Sequence, residues 1–81
     1  MNEQVHKKRT RLVLVGWKEG MEKIAVTKAI QRTAGYALKR AKDCTDALLE
    51  GKQVVIEGLD EEKATALAAV LRELGVLVRL E

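Results

Sequence analysis

Residues 23–43, KIAVTKAIQRTAGYALKRAKD, hold two helical patterns, a turn between them and most of the basic residues outside the N-terminal end of the chain. At about 100° per residue, Val26, Ala29, Ile30 and Thr33 fall on one narrow side at spacings of three and four, the stripe of a helix that packs on a core. Ile24 points almost opposite, beside Thr27, Lys28 and Gln31 on the face expected to meet water, where an isoleucine among polar and basic residues is a candidate contact. Gly35 can take a positive φ and reverse the chain. A second helix then turns Leu38, Ala41, Thr45 and Leu48 inward, so that Lys39 and Lys42 flank its stripe and emerge beside Lys23 and Lys28.

Upstream, Leu12, Val13, Leu14 and Val15 form a continuous branched run ended by Gly16. Arg11–Trp17 therefore reads as a strand, and apolar residues on both faces make it the central one. Trp17 is expected to close the edge of the core, in preference to stacking on a base or a partner. Met1–Thr10 lacks apolar periodicity and includes HKKRTR with Arg11, which predicts a flexible basic tail before a domain over residues 11–81. A solvated leader is the preferred reading of that tail over a nucleic-acid arm.

Downstream, the helices are expected over about Glu22–Thr33 and Ala37–Leu49, and a second strand over Gln53–Glu57, stopped by Gly58. Asp60 is a good N-cap for a third helix with Glu61 and Glu62 in its first turn, where the helix dipole favours acids. Ala64, Leu67, Ala68, Leu71 and Leu74 form its stripe, Gly75 suits a left-handed C-terminal cap, and Val76–Leu80 closes the chain as a third strand. The order β-α-α-β-α-β, with three helices able to hide one face of a three-stranded sheet, predicts an α+β two-layer sandwich.

The 81 residues fit one domain with one modest core, and without Phe or Pro and with one Trp and one Tyr that core must be aliphatic. The longest uncharged stretch, Ala64–Leu71, is far short of the roughly 20 residues that span a bilayer. No apolar run with a cleavage site follows Met1, and the lone Cys44 can form no internal disulfide, so a cytoplasmic protein without a membrane partner is expected. The net charge of +3 hides a division: residues 1–11 carry +3, residues 12–44 carry +4 and residues 45–81 carry −4. The basic half would attract an acidic protein surface or a phosphate backbone.

Catalytic chemistry finds little to work with. The chain has no serine, one cysteine, one histidine and no Gly-rich phosphate loop. Cys44 has no base placed beside it and reads as a small, partly buried residue. His6 has no second ligand nearby for a metal. A non-enzymatic binding module without cofactor or metal is expected.

The same residues carry a resemblance. Lys23-Ile24-Ala25-Val26, Lys28-Ala29-Ile30, the Gly35 turn and Leu38-Lys39-Arg40-Ala41-Lys42-Asp43 resemble the C-terminal domain of the bacterial ribosomal stalk protein, large-subunit protein seven/twelve, which recruits translation GTPases. The resemblance runs from about Leu12 to Glu81, since GLDEEKATALAAVLRELGVLVRL is similar in layout to that family's last helix and strand. It implies that the sheet is antiparallel and that Lys23, Ile24, Lys28 and Lys42 contact a translational GTPase, with Thr27, Gln31 and Lys39 on the same surface. Thr27 stands where the family usually has an aliphatic residue, Gln31 where it has Arg, Arg40 where it has Glu and Ala37 where it has a second turn Gly. Loss of one apolar contact and one charge is worth about 1 to 3 kcal/mol of binding. The family's dimerisation domain and Ala/Gly-rich hinge have no counterpart in these residues, so the domain is expected to act alone, as a monomer or weak homodimer.

Two other readings stand beside this one. RNA or DNA could be bound by Lys7, Lys8, Arg9, Arg11, Arg32 and Arg40 together with Lys28, Lys39 and Lys42, but the inner faces of both helices are committed to the core, and Trp17 and Tyr36 are too few for a stacking platform. The remaining reading is a protein-interaction adaptor unrelated to translation.

Overall fold

The computed structural model describes residues 9–81. Its elements are β1 (Arg9–Trp17), α1 (Lys23–Ala34), α2 (Leu38–Leu49), β2 (Val54–Asp60), α3 (Glu61–Glu73) and β3 (Val76–Leu80). The branched run Leu12–Leu14 lies in the middle strand of a sheet ordered β2-β1-β3, with both pairs antiparallel. Leu12, Val13 and Leu14 are all buried, as a strand paired on both sides and apolar on both faces should be. Leu12 and Leu14 join the core beneath the helices with Val26, Ile30, Ala41, Leu48, Ile56, Leu67, Leu71 and Val76, an all-aliphatic set. The result is the expected two-layer α+β sandwich. No helix among the described residues is long and apolar enough to cross a membrane.

Both strands of the β1–β2 pair run further at one end than the sequence suggests. Gly58 does not stop β2: Thr10 pairs with Leu59 and Leu12 with Ile56, so β2 carries one extra residue at a bulge and resumes pairing beyond it. Arg9 then pairs with Asp60, and Thr10 is buried. Arg9 and Thr10, expected in the tail, thus belong to β1, while the rest of the expected tail, with His6, Lys7 and Lys8, lies outside the described residues. Trp17 departs from expectation as well. It is 41% exposed and stands outside the core cluster, although its strand partner Val76 is buried.

The helix boundaries have local causes. Gly35 ends α1 at φ 73°, its N–H donating to the Gln31 carbonyl, the left-handed cap that glycine adopts at least cost. Asp60 caps α3 through its Oδ1, which accepts from the Lys63 N–H at 2.8 Å. Between α3 and β3, Gly75 takes φ +99°, and a Cβ there would lie 3.0 Å from Met21 Cα. That closeness joins the turn to the loop before α1: the Lys18 N–H donates to the Gly75 carbonyl at 2.8 Å and the Glu22 N–H to the Leu74 carbonyl at 3.1 Å. The first residues of α1 are thereby fixed against the end of α3.

Candidate partner-binding cleft

Because α1 and α2 pack side by side on the sheet, their shared outer edge is set by which side chains the core leaves over. Val26, Thr27 and Ile30 are buried on α1, and Ala41, Thr45 and Leu48 on α2. Two large aliphatic residues remain outside, Ile24 at 69% and Leu38 at 59% exposure. Exposure of Ile24 follows from its wheel position. Leu38 corrects the reading that placed it inward: as the first residue of α2, next to the Gly35–Ala37 turn, it precedes the point where that helix meets the core. Thr27 is corrected in the opposite sense, buried rather than solvent-facing, because α2 covers that side of α1 and brings Thr45 Oγ1 to 2.7 Å from Thr27 Oγ1.

Together these residues line a cleft of about 180 Å³ formed by Lys23, Ile24, Thr27, Lys28, Leu38, Lys42 and Asp46. A shallower depression of about 540 Å³ along Glu22, Lys23, Ile24, Ala25 and Lys28 continues it around the start of α1. Lys23, Lys28 and Lys42 have no carboxylate within ion-pair distance among the described residues, even though Asp46 lies one turn beyond Lys42 in the same lining. The helix dipoles add to this positive field. Neither α1 nor α2 has a side-chain N-cap or an acid in its first turn.

The other residues singled out from the sequence do not join the cleft. Lys39 Nζ is 3.3 Å from Asp43 Oδ2 in an exposed i,i+4 pair. Gln31 is half-buried and Arg32 lies in the last turn of α1. The Arg40 guanidinium stacks over the Tyr36 ring, 3.8 Å from its centroid. Arg9 Nη1 donates to the Gly58 carbonyl at 2.7 Å, and Arg11 lies between Glu57 at 3.2 Å and Glu81 at 3.9 Å on the sheet. Among the described residues, the cations proposed for nucleic acid are therefore split between sheet and helices, and four of them, Arg9, Arg11, Lys39 and Arg40, are held by groups of the protein itself. Leu38 and Asp46 were missed as cleft residues. For Leu38 the available signal was its place at the very start of a helix, where a stripe is least dependable.

Cys44 is half-buried on α2 and packs against the core. Burial pushes its thiol above the ordinary range, Asp43 adds to the rise, and Arg40 opposes it. The thiol stays protonated near neutrality and is no nucleophile there. No group of three or more His, Cys, Asp or Glu among the described residues could hold a metal ion.

Fold and cleft define a small two-layer α+β module whose distinctive chemistry is an apolar pair framed by unpaired lysines. Residues 12–81 match the family described as ribosomal protein L7/L12 C-terminal domain, and the chain belongs to that family. It is 34% identical over 79 residues to the large ribosomal subunit protein bL12 of Flavobacterium psychrophilum, covering 98% of this chain and 62% of the relative. The bL12 proteins of Acinetobacter baylyi and Porphyromonas gingivalis are 41% and 40% identical, over 76% of this chain and 49% and 47% of their own lengths. The chain thus spans about half to three-fifths of the relatives it matches.

Proposed function

We propose that this domain is a non-enzymatic docking module of the cytoplasmic translation apparatus, and that the α1–α2 cleft receives an acidic surface of a translational GTPase. The observation that carries the reading is the conjunction of Ile24 and Leu38, both exposed, with Lys23, Lys28 and Lys42, which have no partner acid within the described part of the molecule. Apolar anchors contribute most of the affinity when desolvated, while surrounding charges steer association and make it salt-dependent. Membership of a ribosomal protein family supports the setting. Leu38 adds an aliphatic side chain at the rim of a cleft where Thr27 stands in place of the family's usual aliphatic residue.

The test is a titration of isotope-labelled protein with elongation factor G and, separately, with a short RNA, followed by NMR. Shifts gathered on Lys23, Ile24, Lys28, Leu38, Lys42 and Asp46 with the factor, and none with RNA, are expected. Shifts centred on Arg9, Arg11 and Arg32 with RNA, without response to the factor, would overturn it.

A further inference from the structure

Beneath the cleft lies a contact that neither the apolar stripe nor the charge pattern accounts for. Thr27 and Thr45 are both buried, and their Oγ1 atoms meet at 2.7 Å across the α1–α2 interface. Each hydroxyl also reaches the carbonyl one turn back in its own helix, Thr27 Oγ1 at 3.0 Å from Lys23 O and Thr45 Oγ1 at 3.3 Å from Ala41 O. Two hydroxyl protons serve three contacts, so one threonine donates across the interface and gives up its own carbonyl. The distances favour Thr27 donating to Lys23 O while Thr45 donates to Thr27 Oγ1.

We infer that this hydroxyl bridge is a positioning device for the cleft above it, setting the separation and register of its two walls and hence which partner segment the cleft accepts. The inference rests on reading the cleft as the partner site. Ile24 stands three residues before Thr27 and Lys28 directly after it, while Lys42 stands three before Thr45 and Asp46 directly after it. The bridge thus ties the helices where each carries its lining residues. An aliphatic contact at this point would let the helices slide at little cost, because dispersion has no preferred direction; a hydrogen bond is restricted in distance and angle. At about 180 Å³ the cleft is smaller than the roughly 300 to 1,000 Å³ of small-molecule sites. The occupant it suits is one aliphatic side chain entering between Ile24 and Leu38 from a segment whose carboxylates meet the three lysines.

Thr45 allows the role to be tested without touching the contact surface, since Thr27 lines the cleft and Thr45 does not. In Thr45→Val the remaining Thr27 hydroxyl still donates to Lys23 O, so the bridge is lost without leaving an orphaned donor. Thr45→Ser keeps the bridge. Methyl NOEs between Ile24 and Leu38, measured on the free protein, are expected to change in Thr45→Val and to persist in Thr45→Ser. Affinity for elongation factor G should fall about tenfold in Thr45→Val and stay within about twofold in Thr45→Ser, both variants remaining folded by urea titration. Unchanged NOEs in folded Thr45→Val would overturn the positioning role, as would equal loss of binding in the two variants. Altered NOEs with no factor binding even by the unmodified protein would uphold the bridge and overturn the partner reading, so the two failures are distinguishable.

Discussion

The N-terminus of α3 and those of α1 and α2 follow opposite rules. At α3, Asp60 caps the helix through its side chain, Glu61 and Glu62 occupy the first turn, and the buried stripe runs Ala64, Leu67, Ala68, Leu71. At α1 and α2 there is no side-chain cap, and the first turns carry Lys23 in one helix and Lys39 and Arg40 in the other. Each misplaced charge costs about 0.3 to 1 kcal/mol relative to an acid there. The first residues also carry the exposed aliphatics, Ile24 and Leu38. On the docking role proposed above, helix starts less favourably charged than that of α3, even with Glu22 at the N-cap of α1, fit a surface kept for something other than stability. In that proposal α3 belongs to the part of the domain that holds the fold, and the starts of α1 and α2 to the part offered to a partner.

The largest effects are expected in the core. Ile30→Ala truncates a fully buried side chain and should lower stability by about 2 to 4 kcal/mol in urea titration, whereas Ile24→Ala, on the same helix, should cost well under 1 kcal/mol. Equal losses would mean that Ile24 is part of the core. Gly75→Ala should cost about 1 to 3 kcal/mol, since an alanine would have to keep φ +99° with its Cβ against Met21 Cα. Because that turn also holds Lys18 and Glu22, chemical shifts at Lys23 and Ile24 should move with it.

A fourth variant addresses the capped helix directly. Asp60→Ala should cost about 1 kcal/mol by removing the acceptor for the Lys63 N–H. The smallest effect concerns the one thiol. Alkylation of Cys44 by iodoacetamide should rise only at a pH above that at which an unstructured cysteine reacts, because burial favours the neutral thiol, with Asp43 reinforcing and Arg40 opposing. Onset at or below the ordinary pH would show the thiol to be more open than its packing implies.

Much of this division was legible in the sequence because it depends on periodicity and capping. The α3 stripe, the Asp60 cap, the Gly35 turn and the central place of Leu12–Leu14 each follow from local rules that the tertiary structure did not override. The boundary residues were not legible. Thr27 is buried because α2 lies across α1, a relation between helices that the period of either helix does not contain, whereas Leu38 is exposed because it starts α2 before that helix meets the core. Arg9 and Thr10 belong to β1 through a bulge at Gly58 that lets β2 continue, and a glycine after a strand more commonly suggests its end. Asp46 lies in the cleft through the placement of the α2 outer edge beside Lys23 and Lys28.

Lys23→Glu sets helix stability against partner binding in one substitution, because it replaces the charge at the start of α1 with the one the helix would favour while removing a cation from the cleft. The domain should become slightly more stable, by about 0.3 to 1 kcal/mol, and its affinity for elongation factor G should fall at least about tenfold at low salt, with a smaller difference at high salt. A variant that gains stability and binds the factor as well as the unmodified protein would show that the cleft lysines do not receive it.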